Sequence, residues 1–138
     1  MIHLIYVSSA PNPLSEAQLI ELLDQSRRRN RSLHVTGMLL YADGNFIQVL
    51  EGEEEDVESI FLSILNDPRN RGIIVIEKEP IERRDFPDWS MGFEHITDEH
   101  KATLKGYTEF LQRELQPNEI ARNSNEIIEL LYQFKRSI

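Results

Sequence analysis

Two polar side chains interrupt apolar runs that are typical of buried strands: Tyr6 within residues 2–8 and Gln48 within residues 46–50. Burying an amide without hydrogen-bond partners costs on the order of 1–3 kcal/mol, so a glutamine in such a run needs a partner. A phenol can donate a hydrogen bond and give up an electron, and an amide carries both a donor and an acceptor that rotation exchanges. The pair therefore predicts a polar ligand in the core and a hydrogen-bond switch beside it.

The elements that would position these two residues follow the order strand, helix, two strands, helix, two strands and two helices. Ser15 with Gln18 predicts a capping box that starts the first helix, which should end near Asn30. Residues 42–44 (Ala-Asp-Gly) predict a hairpin, and the acidic residues 53–56 predict the start of the second helix. The predicted strands cover residues 2–8, 35–41, 45–50, 73–76 and 89–96, and the predicted C-terminal helices cover residues 98–115 and 124–136.

This order predicts an α+β fold, a ferredoxin-like βαββαββ sandwich with a mixed five-stranded sheet and two helices on one face. The amphipathic C-terminal helix pair is the natural cover for the opposite face. By the two-residue period of strands, Tyr6 and Gln48 meet if both point to the face that the first two helices cover. We expect a core of residues 1–96 and a helical extension, residues 97–138, that packs on the sheet.

Length and composition limit the class of protein. The 138 residues fit one compact domain, and the absence of cysteine excludes disulfides and thiolate chemistry and fits a reducing compartment. A net charge of −9 argues against a nucleic-acid partner. No apolar run approaches the roughly 20 residues of a membrane span, and the first residues do not read as a cleavable leader. We therefore expect a cytoplasmic protein that is not bound to a membrane.

The sequence offers little for metal or acid-base chemistry. The four histidines are scattered without ligand spacing, and no glycine-rich phosphate loop or nucleophile elbow is present. We therefore expect no metal site and no enzyme activity. The arginines of residues 27–31 form a basic run at the end of the first helix, which fits either a solvated helix end or a phosphate-facing role.

Five segments together resemble the BLUF family of flavin-binding blue-light sensors, from about residue 2 to residue 93. They are residues 3–10 with Tyr6, residues 26–30 with Ser26 and Asn30, residues 35–41, residues 46–52 with Gln48, and residues 86–91 with Trp89 and Met91. The resemblance implies a flavin ring between the two helices and the sheet. FAD is the family's usual cofactor, and FMN stays open. The implied cofactor-binding residues are Tyr6, Asn30, Gln48, Ile64, Arg69 and Asn70, and the implied signalling residues are Ser26, Trp89 and Met91.

Several of these positions have plain structural alternatives. Asn30 could be a helix cap, Ser26 an ordinary helix serine or a residue that orients Trp89 or Met91. Trp89 and Met91, two residues apart, are expected to face the same way. The chain departs from the family in two places, with Asn70 where histidine is common and Ser63 where some relatives carry arginine. These departures affect the outer contacts of the ring.

The resemblance implies a photoreceptor in which light drives electron and proton transfer from Tyr6 and leaves Gln48 rearranged. The signal would pass through the last strand and the C-terminal helices to an unidentified downstream protein, because the sensor fills most of the chain. We also expect a homo-oligomer. Two alternatives stay open: a flavin-dependent reductase on the same scaffold, and a light-insensitive protein-interaction module.

Overall fold

The computed structural model describes residues 1–96 and 117–136. Local sequence explains how the first elements start. The hydroxyl of Ser15 accepts from the Gln18 backbone while the Gln18 side chain accepts from the Ser15 backbone, which completes the capping box. The elements are β1 (Ile2–Ser9), α1 (Glu16–Ser32), β2 (Thr36–Ala42), β3 (Asn45–Gly52), α2 (Glu54–Leu65), β4 (Arg71–Pro80), β5 (Gly92–His95) and α3 (Pro117–Arg136).

The hairpin between β2 and β3 turns over two residues. Ala42 pairs with Asn45, which leaves Asp43 and Gly44 as the loop. Both have positive φ, 51° and 83°, as the type I′ turn that matches strand twist requires. The tight turn fixes the register of β3 and therefore the direction in which Gln48 points.

The five strands form one mixed sheet in the order β4-β1-β3-β2-β5. All neighbours are antiparallel except β2 and β5, which are parallel. β3 lies between the parallel strands β1 and β2, which is the split βαβ arrangement of ferredoxin-like folds. The predicted fold class is confirmed.

Each face of the sheet supports its own core. Helices α1 and α2 cover the face that carries Leu4, Tyr6 and Leu50, and α3 covers the face that carries Ile5 and Val49. Every residue of β1 and β3 is buried, which explains why both strands read as nearly continuous apolar runs. A polar residue in either strand is therefore enclosed on whichever face it lies.

Some predicted bounds differ from the structure. The predicted strand 73–76 extends to Arg71–Pro80, and the predicted strand 89–96 is only Gly92–His95. Residues 86–91 form turns and bends because their backbone groups bond to β3, α1 and β2 rather than to one neighbouring strand. The predicted helix 124–136 lies within α3, whereas the predicted helix 98–115 lies outside the described residues. No helix in the described part is long and apolar enough to span a membrane.

Candidate functional site

Tyr6 and Gln48 meet at the centre of the sheet, on the face that α1 and α2 cover. They are directly opposite each other in the β1–β3 register, and their side chains are 2% and 3% exposed. The Tyr6 hydroxyl donates a hydrogen bond to Oε1 of Gln48. The structure thus places a phenol and an amide in contact inside an apolar core.

The environment of Tyr6 keeps its phenol protonated. Burial raises the pKa of Tyr6 well above its usual value near 10, and the Asp67 carboxylate raises it further. The Arg29 guanidinium, which is itself partly buried, acts in the opposite direction but does not outweigh burial. Tyr6 is therefore a neutral hydrogen-bond donor over the whole physiological pH range.

The amide of Gln48 has a second partner. Its Nε2 donates to Sδ of Met91 at 3.3 Å, so donor and acceptor atoms of the amide are both used. A thioether sulfur is a weak acceptor, whereas the phenol bond to Oε1 is a strong one. Rotation of the amide by half a turn would exchange these two partners.

Trp89 and Met91 lie on opposite sides of the sheet, so the prediction that they face the same way is wrong. Met91 packs in the core under α1 and α2, whereas Trp89 packs against the core under α3 and contacts Phe86 at 5.7 Å between ring centroids. The two-residue period holds only in extended strands, and both residues precede β5.

Three hydrogen bonds fix the backbone of residues 89–91. Arg27 Nε donates to the Met91 carbonyl at 3.0 Å, and Asn30 Nδ2 donates to the Ser90 carbonyl at 2.8 Å. The Gly37 amide donates to the Trp89 carbonyl at 3.1 Å. Two of these contacts come from the C-terminal half of α1, so this helix holds Met91 against Gln48.

A cavity of about 50 Å³ lies between α1 and α2, above Tyr6 and Gln48. Aliphatic and aromatic side chains form part of its wall, and groups that can hydrogen-bond form the rest. Its lining consists of Tyr6, Leu22, Gln25, Ser26, Arg29, Leu39, Phe46, Gln48, Ile64, Asp67, Arg69 and Asn70.

An ion pair stands at the edge of this cavity. Arg69 Nη2 lies 2.6 Å from Asp67 Oδ2 and donates to Gln25 Oε1 at 3.0 Å. The hydrogen bond from Arg69 lowers the pKa of Asp67, and the same bond raises the pKa of Arg69. The pair is therefore fully ionised near neutral pH and places a fixed cation and anion beside the cavity.

Most residues predicted for the site line the cavity. Ile64 and Ser26 contribute to its wall together with Arg69 and Asn70, and Asn70 accepts a hydrogen bond from Ser8 at 2.9 Å. Asn30 is buried but is not part of the lining, since its amide nitrogen bonds to the segment that carries Met91. Ser26 lines the cavity, and its role in orienting Trp89 or Met91 stays a prediction.

Sequence reasoning missed three polar residues of the lining: Gln25, Arg29 and Asp67. The signal was helical spacing, since Leu22, Ser26 and Arg29 follow each other by four and three residues on one face of α1. The basic run of residues 27–31 fits, from sequence alone, either a solvated helix end or a phosphate-facing role. In the structure Arg29 is partly buried near Tyr6. Arg27, in the same run, donates a hydrogen bond to the Met91 carbonyl.

Comparison with known proteins places this arrangement in a family. The family profile described as BLUF, sensors of blue-light using FAD, matches residues 1–92. Photoactivated adenylate cyclase subunit beta of Euglena longa is 35% identical over 102 residues, and that of Euglena gracilis is 33% identical over 102 residues. Each match covers 73% of this chain, and the chain spans only 12% of the length of each of these relatives.

Solved structures give the same result. The dark-state structure of BlrB, a BLUF protein, has a TM-score of 0.78 at 28% identity and covers 99% of this chain and 96% of its own. The photo-activated state of BlsA has a TM-score of 0.72 at 28% identity, with 94% of both chains covered. A bacterial light-regulated adenylyl cyclase has a TM-score of 0.67 at 26% identity and covers 99% of this chain and 35% of its own. The chain belongs to the BLUF family of blue-light sensors that use flavin.

Proposed function

We propose that this chain binds FAD non-covalently between α1 and α2 and senses blue light through Tyr6 and Gln48, without enzymatic turnover. The observation that supports this proposal best is the buried chain of hydrogen bonds from Tyr6 through Gln48 to Met91. Buried polar groups in an otherwise apolar core are costly unless they are hydrogen-bonded. The Gln48 amide has two hydrogen-bond partners and lies beneath the cavity, so a change of partners there can act as a switch.

The chemistry of the cavity fits a flavin ring. Ile64 and Leu22 offer apolar contact, while Asn70, Arg29 and Gln48 offer hydrogen bonds of both kinds. Its volume of about 50 Å³ is below the roughly 300–1,000 Å³ that is usual for ligand sites. Binding of a three-ring system therefore requires long side chains of the lining to move outward. Arg69 and Gln25, which are hydrogen-bonded to each other at the exposed edge of the cavity, are two such side chains.

We propose ring contacts for the residues inferred from the family resemblance, namely Tyr6, Asn30, Gln48, Ile64, Arg69 and Asn70. Asn30 can contribute only its amide oxygen while its nitrogen bonds to the Ser90 carbonyl. Arg69 is held by Asp67, which directs its guanidinium toward Gln25. Arg69 and Asn70 would serve the outer part of the cofactor, and Ile64 would pack on the ring face.

The flavin, when bound, supplies blue-light absorption and an excited state that accepts an electron. Tyr6 is the donor in our proposal. Because its phenol is neutral, loss of an electron makes the hydroxyl strongly acidic, and its proton would pass along the existing bond to Gln48 Oε1 and on to the flavin that took the electron. The hydrogen bond thus provides the path for the proton.

Loss of the Tyr6 proton removes the donor that holds Gln48. The amide is then free to rotate, which moves its nitrogen away from Met91 Sδ, or to change tautomer, which leaves one hydrogen fewer on that nitrogen. When the electron and the proton both return to Tyr6, the amide is left in the rearranged state. Met91 loses a partner in this step, and its backbone is tied to Arg27 of α1.

A contact route connects this switch with α3. Trp89 packs on Phe86, whose ring stacks on Tyr132 of α3 at 5.9 Å between centroids. The Tyr132 hydroxyl donates to Asp85 Oδ2 at 3.0 Å. We propose that residues 97–138 form an extension that passes the signal to a downstream protein, in a homo-oligomer or a partner complex.

Absorption spectroscopy in the dark and under blue light tests the proposed function. The protein should bind oxidised flavin, and light should shift its bands slightly to longer wavelength, reversibly in the dark. Since the chain has no cysteine, the bleaching of a thiol adduct should not occur. A protein that cannot be loaded with flavin would contradict the proposal, and a bound flavin without a photoshift would favour the reductase or the light-insensitive module.

A further inference from the structure

A second polar cluster lies on the opposite face of the sheet, where β1 pairs with β4. His3 is directly opposite Glu79 in the register, and Ile5 is opposite Glu77. Because residues two apart in a strand share a face, both carboxylates lie on the same side as the imidazole. One ligand atom from each of His3, Glu77 and Glu79 lies within 4.8 Å of the others.

The imidazole of His3 is buried and poorly satisfied. His3 is 8% exposed, and neither ring nitrogen has a hydrogen-bond partner among the described residues. Its Nε2 approaches Oε2 of Glu77 to 2.6 Å without the alignment of a hydrogen bond. A buried polar group without a hydrogen bond costs on the order of 1–3 kcal/mol, and an ion held by the imidazole would offset this cost.

We propose that His3, Glu77 and Glu79 bind a divalent transition-metal ion, with zinc as the preferred ion. One imidazole and two carboxylates leave a fourth position of a tetrahedral zinc site for water. Ligands at about 2.1 Å from such an ion are about 3.4 Å apart, so Nε2 and Oε2 need to separate by less than about 1 Å. Small rotations of the side chains provide this movement.

The surroundings favour a cation. Glu51 is directly opposite His3 in β3, the other strand that pairs with β1. Its carboxylate already accepts hydrogen bonds from the backbone amides of Asp85 and Phe86. It contributes negative charge rather than a ligand, and the Arg84 guanidinium, which donates to the Glu51 carbonyl at 3.0 Å, offsets part of that charge. Lys78 lies between the two glutamates in sequence but on the other face, where it pairs with Glu58 at 2.6 Å. An imidazole ligand selects zinc over magnesium or calcium, which prefer oxygen ligands alone.

Solvent can reach the cluster of His3, Glu77 and Glu79 at its outermost residue, Glu79. Glu79 is exposed and Glu77 is partly exposed, whereas His3 is buried at the inner end. An ion can therefore enter from the side of β4, which is an edge strand of the sheet. The sequence alone does not reveal this cluster, because its members come from two strands 74 residues apart whose pairing is visible only in the fold.

Isothermal titration of zinc into the full chain, without an affinity tag and after chelator treatment, tests this inference. One zinc per chain should bind saturably, and magnesium should not. His3→Gln should weaken zinc binding by at least about tenfold, the scale at which even supporting groups of metal sites act. His95→Gln is the matched control, since His95 also lies 2.6 Å from a carboxylate, that of Glu16, but has no third ligand among the residues that the structure describes.

Glu79→Gln keeps the test decisive if His3→Gln fails to fold, because an exposed residue tolerates substitution. This variant should also weaken zinc binding by at least about tenfold. Zinc should leave the flavin spectrum unchanged, since the cluster and the flavin cavity lie on opposite faces. Absence of saturable zinc binding, or equal affinity of wild type, His3→Gln and Glu79→Gln, would overturn the proposal.

Discussion

Both faces of the sheet are buried under helices, but the residues at their centres differ in polarity. Under α1 and α2 the centre of the sheet carries polar groups, Tyr6 and Gln48, that bond to each other beside a cavity. Under α3 the centre is apolar, with Ile5 and Val49 packed against Ile127. Both faces are buried, so burial alone does not distinguish them. In our proposal, the first face carries the photochemistry and the second face stabilises the fold.

On the α3 face, a buried polar residue of β3 lies near the end of the strand instead. Glu51 is fully buried but accepts hydrogen bonds from Thr36 and from the amides of Asp85 and Phe86. These bonds fasten residues 85–86 to β3, close to the segment that carries Met91. A carboxylate with three donors is satisfied and fixed, whereas the Gln48 amide has one strong and one weak partner. These bonds on the α3 face thus fix residues 85–86, which precede the segment that we propose to move.

The largest expected effect comes from Tyr6→Phe. The substitution keeps ring volume and removes the hydroxyl, so the photoshift should be abolished while flavin stays bound. Tyr41→Phe is the matched control, since Tyr41 lies in the same core and its hydroxyl accepts only from the Leu14 backbone in the described contacts. Light-minus-dark absorption measures both variants. A full photoshift in Tyr6→Phe would exclude Tyr6 as the donor.

On the α3 face, the expected effect is on stability rather than on photochemistry. Ile127 is fully buried, so Ile127→Ala should lower the free energy of unfolding by about 2–5 kcal/mol. The photoshift of the folded fraction should persist. Leu62→Ala, at a position that is 60% exposed, should change stability by less than about 0.5 kcal/mol. Equal effects of the two variants in urea unfolding would mean that α3 does not cover the sheet.

Met91 and Trp89 sharpen the comparison because they lie on different faces. Met91→Leu keeps the volume and removes the sulfur acceptor, worth about 0.5–1.5 kcal/mol, so dark recovery should change roughly two- to tenfold. Trp89→Ala should keep the photoshift and its recovery time, and should alter hydrogen exchange in residues 117–136. Time-resolved absorption and hydrogen exchange in dark and light measure these outcomes. Reversed roles would contradict the assignment of the two residues to opposite faces.

The smallest expected effect is a dependence of stability on alkaline pH. Burial raises the pKa of Tyr6 above its usual value near 10, so the folded chain keeps a proton that the unfolded chain loses. The free energy of unfolding should therefore fall as the pH rises above about 10, by up to about 1.4 kcal/mol per pH unit for this group. Tyr6→Phe should make the fall less steep in urea unfolding at pH 8 to 11. Parallel curves for wild type and variant would exclude this contribution.

Local signals were sufficient to predict the elements and to single out Tyr6 and Gln48. The capping box at Ser15 and the turn at Asp43 and Gly44 each act over a few residues. The pairing of β1 with β3 in the structure then places Tyr6 directly opposite Gln48. The roles of Tyr6 as electron donor and Gln48 as switch stay predictions, which the variants Tyr6→Phe and Gln48→Leu test.

Contacts between distant segments could not be predicted in this way. The separation of Trp89 and Met91 depends on hydrogen bonds to α1 and β2 that bend residues 86–91, and no local pattern encodes them. Arg29 reads as one of several exposed cations until the packing of α1 shows that it is partly buried near Tyr6. Tertiary context decides both cases.

The central claim is that the Gln48 amide, beside Tyr6, is the switch, and one matched pair of variants tests it most directly. Gln48→Leu removes the amide beneath the cavity, whereas Gln25→Leu removes an amide of the same cavity that bonds only to Arg69 and Glu21 in the described contacts. In flavin-loaded protein, the light-minus-dark spectrum should lose the photoshift in Gln48→Leu and keep it in Gln25→Leu. An unchanged photoshift in Gln48→Leu would contradict the account.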